Sequence, residues 1–236
     1  MRRVVLKLSG EAFSSASPDE TIDAQIVDRL AIEITAAREK HGVQIAVVVG
    51  GGNIWRGATG VAEGMDRAQA DYMGMLATVI NAMALQDALE RCDQPSRVMT
   101  AIHMAQVAEP YIRGRAIRHL EKGRIVILAA GIGSPFFTTD TAAALRAVEL
   151  EADVLLKGTH GGVDGIYDAD PRKHAHAKKI DRTSHAEVII KELRVMDLTA
   201  MTLSKDNNLP ICVFDIMTPG NIEKILSGEQ IGTRVE

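Results

Sequence analysis

An unbroken apolar run, Ile45-Ala46-Val47-Val48-Val49, stops at three consecutive glycines, Gly50-Gly51-Gly52, with Asn53 and Arg56 close behind. Apolar at every position and mostly β-branched, the run predicts a strand buried on both faces. Adjacent glycines let the backbone approach a ligand closely, and their N–H groups can point at an anion. The guanidinium fork of Arg56 suits phosphate. The stretch therefore reads as a phosphate cradle at the carboxyl end of a parallel strand, where ligands of open α/β sheets bind.

The rest of the chain supplies the sheet. Val4–Leu8 predicts a first strand, ended by Ser9-Gly10, and Ser14 to Glu20 predicts a loop. Asp23 caps an expected helix with apolar positions at Ile26, Val27, Leu30, Ile34 and Ala37, ended by Gly42. A long helix is expected from about Met65 to Arg91, its core stripe formed by Met73, Leu76, Ala77, Ile80, Met83 and Ala84. Further strands are expected at Val98–Thr100, Arg124–Ala129, Val154–Leu156 and Ile211–Phe214. Helices are expected at Arg113–Lys122, Thr141–Glu151, His185–Lys191, Thr199–Asn207 and Pro219–Ser227. Tyr167 to Arg182 reads as a loop or small hairpin. Strands alternating with helices imply a three-layer αβα sandwich around a mostly parallel sheet. With 236 residues and no evident linker, the expectation is a single domain over 1–236.

Composition narrows the class. Formal charge is −4 and pI about 6.0, which argues against a nucleic-acid coat. Mean hydropathy is near zero, and no apolar run approaches a membrane span. The opening strand is too short for the apolar region of a signal peptide, so a cytoplasmic protein is expected. Cys92 and Cys212 are far apart and form no CxxC, consistent with reduced thiols.

Four strands are followed closely by glycine, at Gly10, Gly50, Gly131 and Gly158. In a parallel sheet these ends share one edge, which suits a long polyanionic ligand or two ligands. The loops are neither a Walker A motif nor a Rossmann fingerprint, since the required lysine or third glycine is missing. Lys7, inside an apolar strand, is costly to bury without a partner and could aim a point charge at phosphate beside Ser9 and Gly10. Pro135-Phe136-Phe137-Thr138-Thr139-Asp140 leads into a helix, with Thr139 or Asp140 the expected N-cap; such a terminus can bind an anion. Asp71 could accept hydrogen bonds from ribose hydroxyls. In Lys157-Gly158-Thr159-His160-Gly161-Gly162-Val163-Asp164-Gly165, a turn precedes Tyr167, which could stack on a purine, and Asp170, which could hold a polar edge. His174-Ala175-His176 has no cysteine nearby and basic neighbours, so it is not assigned to a metal. No hydrolytic motif occurs.

These motifs resemble those of bacterial uridylate kinase in the amino acid kinase superfamily. The likeness runs through Lys7-Leu8-Ser9-Gly10, Gly50-Gly51-Gly52-Asn53 with Arg56-Gly57, Asp71 to Thr78, Pro135 to Asp140, Val163-Asp164-Gly165 and Asp170-Pro171. The resemblance implies transfer of the ATP γ-phosphoryl group to UMP. Residues 1–150 would hold UMP and 151–236 ATP. It implies Lys7, Arg56 and Asp140 as catalytic residues. Lys7, Leu8, Ser9, Gly10, Gly52 and Arg56 would meet ATP phosphates, and Thr159, Tyr167 and Asp170 its adenosine. Gly51, Asp71 and Ile132-Gly133-Ser134-Pro135-Phe136-Phe137-Thr138-Thr139 would meet UMP. It further implies Mg²⁺ carried with ATP, no dedicated protein metal site, a homohexamer and inhibition by UTP. The chain departs from the usual pattern at Ile132-Gly133-Ser134, where Thr-Gly-Asn is common, and in a loop after Thr159 that is two residues longer. It also lacks a Gly-Phe-Gly after Phe13. Two other readings stay open: a superfamily phosphotransferase acting on a carboxylate, carbamate or isoprenoid phosphate, and a non-catalytic nucleotide-binding protein.

Overall fold

The computed structural model describes residues 1–15, 20–174, 176–193 and 195–236. Positions 16–19 of the expected Ser14–Glu20 loop, and Ala175 between the two histidines, lie outside the described residues. Strand β1 (Arg3–Leu8) enters a short 3-10 turn, Gly10–Phe13, and is followed by α1 (Ala24–His41), β2 (Gln44–Val49), α2 (Gly57–Ala62) and α3 (Arg67–Arg91). Next come β3 (Ser96–Thr100), β4 (Glu109–Pro110), α4 (Arg113–Glu121), β5 (Ile125–Ala129), α5 (Thr139–Glu149) and β6 (Val154–Thr159). A small antiparallel hairpin, β7 (Ile166–Tyr167) and β8 (Lys179–Ile180), precedes β9 (Arg182–Thr183), α6 (His185–Ile190), α7 (Leu198–Asp206), β10 (Ile211–Asp215), α8 (Asn221–Leu226) and β11 (Thr233–Val235).

One sheet of nine strands runs in the order β4-β3-β5-β2-β1-β6-β10-β11-β9, parallel except where β11 pairs antiparallel with β10. The strand alternation sorts the core into two layers. Val4, Leu6, Leu8, Ile45, Val47 and Val49 pack with residues of α1, α3 and α8. Val5, Ala46, Val48, Val126, Leu128 and Leu155 pack on the other face with α4, α5 and α7. This is the αβα sandwich expected from the sequence. The sheet is continuous through β1 and β6, which pair along their length.

Local signals account for several boundaries. Asp23 caps α1 by accepting from Gln25 and Ile26 N–H, at 2.9 and 3.3 Å, and Gly42 ends the helix at φ 61°. Other expectations need correction. The N-cap of α5 is Thr138, not Thr139 or Asp140; its hydroxyl accepts from Asp140 N and Thr141 N. Gly158 lies inside β6 rather than after it, because pairing with β1 and β10 extends that strand to Thr159. On α3 the buried face is built from Ala70, Met75, Ala77, Ala82, Leu85, Ala88 and Leu89, with Thr78 and Asn81. Leu76, Ile80 and Met83 of the expected core stripe are instead about half exposed, at 50%, 50% and 47%. The helix is apolar on two faces, and the face rich in small residues is the one turned to the sheet.

Candidate active site

The centre of the site follows from strand register. Lys7 on β1 and Lys157 on β6 are directly paired positions of adjacent parallel strands. Their side chains point to the same face, toward the N-terminus of α5. Asp140, in the first turn of that helix, lies between them: Lys7 Nζ is 2.9 Å and Lys157 Nζ 2.5 Å from its carboxylate. All three side chains are nearly buried, at 7%, 10% and 15% exposure. Burial alone would raise the Asp140 pKa, but Lys7 and then Lys157 outweigh it and hold the carboxyl below its usual range. Burial and the Lys7 charge push Lys157 down to about 8, against the pull of Asp140. The sequence alone assigns Lys157 no role, although a second lysine closing an apolar strand run is a signal of the same kind as Lys7.

The glycine turns after β1 and β2 are pressed together above this centre. A Cβ on Gly10 would stand 2.3 Å from Gly52 N, and one on Gly51 would stand 2.9 Å from both Gly74 O and Thr78 N of α3. Close contact between backbones thus demands these glycines, independently of a ligand. Asn81, fully buried on α3, donates to Gly50 O at 2.8 Å and pairs with Asn53 through its amide. That amide pair fixes the second glycine turn, and no local sequence signal marks Asn81 as part of the site. Arg56 reaches back to Glu11 at 2.5 Å, linking the two turns by charge. Leu8 is fully buried in the core, and its carbonyl accepts from Gly50 N at 2.8 Å.

On one side lies the loop between β5 and α5. Asp71, at the start of α3, is held by Arg67 at 2.9 Å and accepts from Phe136 N at 2.8 Å. Phe136 adopts φ 71°, an uncommon left-handed conformation for a bulky residue, so this hydrogen bond stabilises a strained turn. Phe136 and Phe137 present 66% and 47% of their surface outward, with the Arg67 guanidinium 5.8 Å from the Phe136 ring. Gly133, at φ 83°, sits too close to Ala101 O for a side chain, and Ile132 packs partly on the core. Ser134, Pro135 and Thr139 belong to the same rim. Asp197, also unforeseen, accepts from the hydroxyls of Thr138 and Thr141, the latter at 2.9 Å, and caps α7 through Ala200 N at 2.8 Å.

On the other side a cavity of about 640 Å³ is lined by Ser9, Lys157, Thr159, His160, Tyr167 and Asp170, among others. The single Thr159 O–H lies within reach of two carbonyl oxygens, Phe214 O at 2.8 Å and Val163 O, and Tyr167 donates to Asp164 at 2.6 Å. The structure thus brings together Lys7, Ser9, Gly10, Gly52, Arg56 and Asp140. It places Asp71 with the 132–139 loop on one flank and Thr159, Tyr167 and Asp170 on the other.

A family model described as the amino acid kinase family matches residues 2–215. The chain belongs to the amino acid kinase family. A uridylate kinase of Limosilactobacillus reuteri is 57% identical over 99% of this chain and 96% of its own length. A UMP kinase from Bacillus anthracis superposes with a TM-score of 0.95 at 38% identity, covering 100% of this chain and 96% of that one. A UMP kinase from Ureaplasma parvum gives 0.93 at 35% identity, covering 100% and 98%. In this member of the amino acid kinase family the cavity is lined by Lys157 of the lysine–aspartate–lysine cluster, and the exposed aromatic loop leads into the helix that carries Asp140.

Proposed function

We propose that the chain is a UMP kinase, transferring the γ-phosphoryl group of ATP to UMP to give UDP and ADP, reversibly, in pyrimidine nucleotide synthesis. The observation that carries this is the register-matched lysine pair bridged by Asp140, set between the cavity and the Phe136–Thr139 loop. The uridylate kinase relatives support the choice of acceptor.

In this reading the donor lies in the cavity, with Thr159, Tyr167 and Asp170 at its adenosine and Ser9, Gly10, Gly52 and Arg56 at its phosphates. The acceptor lies against Gly51, Asp71 and residues 132–139. Its phosphate oxygen is ionised near neutral pH, so no general base is required. The task is to place two polyanions in line and offset their repulsion. Lys7 and Lys157 supply positive charge where the phosphoryl group crosses, and Asp140 holds both ammonium groups in place. Among the described residues no three His, Cys, Asp or Glu side chains converge on a metal position. Mg²⁺ would come with ATP, and Asp140, the carboxylate between the two lysines, would be the side chain to organise it at the reacting centre. When bound, Mg²⁺ neutralises charge on the transferring group. ATP as donor places the work in the cytoplasm. UTP, with the acceptor's base and ribose, would compete for the acceptor loop. The exposed apolar face of α3 supports assembly into a homohexamer.

ADP release measured with UMP, CMP and N-acetylglutamate as rival acceptors tests the proposal. Turnover is expected with UMP; preference for another acceptor refutes it, and ATP binding without turnover marks a non-catalytic protein. Lys7→Ala should lower kcat by about a hundredfold or more while leaving UMP affinity close to normal, as expected for loss of transition-state charge stabilisation.

A further inference from the structure

His160 opens the longer loop after β6. Its Nδ1 lies 3.1 Å from Ser9 Oγ, in the turn after β1. The position is anchored on one side by Thr159, bound to the backbone of β10. On the other, Gly161 and Gly162, at φ 70° and 76°, turn the chain back, and Arg172 donates to Gly161 O at 3.4 Å. The ring is thus fixed on the wall of the cavity that Ser9 also lines.

The charges facing it come from every segment around it. Lys7 and Glu11 come from β1 and its following turn, Arg56 from the loop after β2, and Arg172 from the segment between β7 and β8. Lys173 and His174 line the cavity beside Arg172. Burial is the largest influence, Glu11 opposes it, and the three cations add to it, so the ring is held below its ordinary pKa and is neutral at neutral pH. A neutral Nδ1 can accept the Ser9 proton, which ties up that hydroxyl. An imidazolium can only donate, which leaves the Ser9 O–H free to donate elsewhere.

We propose that His160 takes up one proton from solvent when a nucleoside triphosphate fills this cavity, donates to Ser9 Oγ, and so frees the Ser9 hydroxyl to donate to a phosphate oxygen. No covalent bond to the nucleotide changes; one proton moves from solvent to Nδ1, Nε2 keeps its own, and the hydrogen bond between Nδ1 and Ser9 Oγ reverses direction. The inference rests on reading the cavity as the donor site. The sign follows from linkage: the bound state holds the extra proton, so affinity rises as pH falls through the bound-state pKa of His160. It levels off below the pKa of the free protein.

Calorimetric titration with MgATP alone, without acceptor, in two buffers of different ionisation enthalpy counts the protons taken up. Near pH 7 the wild-type chain should take up a clear fraction of one proton per site. Its Kd should tighten by up to about tenfold per pH unit across the window, the limit for one linked proton. In His160→Gln, which can still donate to Ser9, uptake beyond that of MgATP itself should vanish and the pH dependence should flatten. Equal uptake in both proteins overturns the inference while leaving the donor site standing. Failure of the wild type to bind MgATP at all overturns the donor site itself. Imidazole resonances keep the test independent of the variant: one of the chain's 7 histidines should titrate at higher pH with MgATP present. If none does, the inference is refuted.

Discussion

Two lysines at paired positions on neighbouring parallel strands repel across roughly the 4.8 Å strand spacing, and burial deepens the penalty. Lys7 and Lys157 are held there because Asp140 accepts from both. Removing that carboxylate leaves two desolvated ammonium groups, a loss on the order of 3–5 kcal/mol. Asp140→Ala should therefore lower the thermal midpoint as well as abolish turnover, whereas Lys7→Ala should abolish turnover with a smaller loss of stability. Calorimetric melting of the two variants separates these outcomes. If Asp140→Ala melts like the wild type, the carboxylate does not hold the pair together. The depressed pKa of Lys157, about 8, gives a pH signature. Below that value the side chain is cationic and can stabilise the transferring phosphoryl group; above it the charge is lost. At saturating Mg²⁺, kcat/KM for MgATP should fall above about pH 8, since this ratio reports the free enzyme. Lys157→Gln should be slower at every pH and should lack that limb. A limb that persists in the variant belongs to another group.

At the scale of elements, α5 and α7 are joined by one carboxylate. Asp197 takes the hydroxyls of Thr138 and Thr141 and caps α7, so it fixes the helix terminus from which Asp140 projects. Thr141→Val breaks one of the two bonds to the α5 terminus, while Asp197→Ala removes both together with the α7 cap, the cap alone a loss of about 0.5–2 kcal/mol. Both should lower kcat; only Asp197→Ala should lower the melting temperature appreciably. Unchanged kcat in both would reduce the strap to packing. Gly51→Ala, with its Cβ forced against the backbone of α3, should cost about 1–3 kcal/mol in denaturant unfolding. Gly114→Ala, in open space on α4, should be neutral or slightly stabilising. These contacts mark how far the sequence could be read. The apolar run at Ile45–Val49, the Asp23 cap and the Gly42 stop carry local signals, and the elements appear where those signals put them. Lys7 could be singled out because a charge inside an apolar strand is itself a signal, and Asp140 because it stands in a polar run at an expected helix N-terminus. Lys157, Asn81 and Asp197 could not be given roles. Their partners lie on other elements, and only strand register and helix placement bring them together. The short strands β4, β9 and β11 likewise depend on a neighbour's edge rather than on their own few residues.

For the whole molecule, the decisive surface is the outer face of α3. Its buried face is filled with alanine, which lets the helix lie close to the sheet and the glycine turn. Its opposite face carries Tyr72, Leu76, Ile80 and Met83, spaced by three or four residues along one stripe and each about half exposed. Such a contiguous apolar stripe on a helix that also braces the site through Asp71 and Asn81 suits a protein–protein contact. Because Leu76 and Ile80 contribute little to the protomer's own core, replacing them tests assembly without dismantling the fold. Leu76→Glu/Ile80→Glu should shift the sedimentation profile from the proposed oligomer to a smaller species, with far-UV circular dichroism unchanged. Activity should fall with it, since the start of α3 holds Asp71 against Phe136, and a helix released from its partner holds that turn less firmly. The loss should appear first as a raised KM for UMP, with ATP affinity less affected, because the cavity proposed for the donor is lined by Ser9, β6 and the segments after β6 rather than by α3. An unchanged sedimentation coefficient would remove this face from the assembly. A smaller species with unaltered KM would show that each protomer holds its acceptor loop unaided.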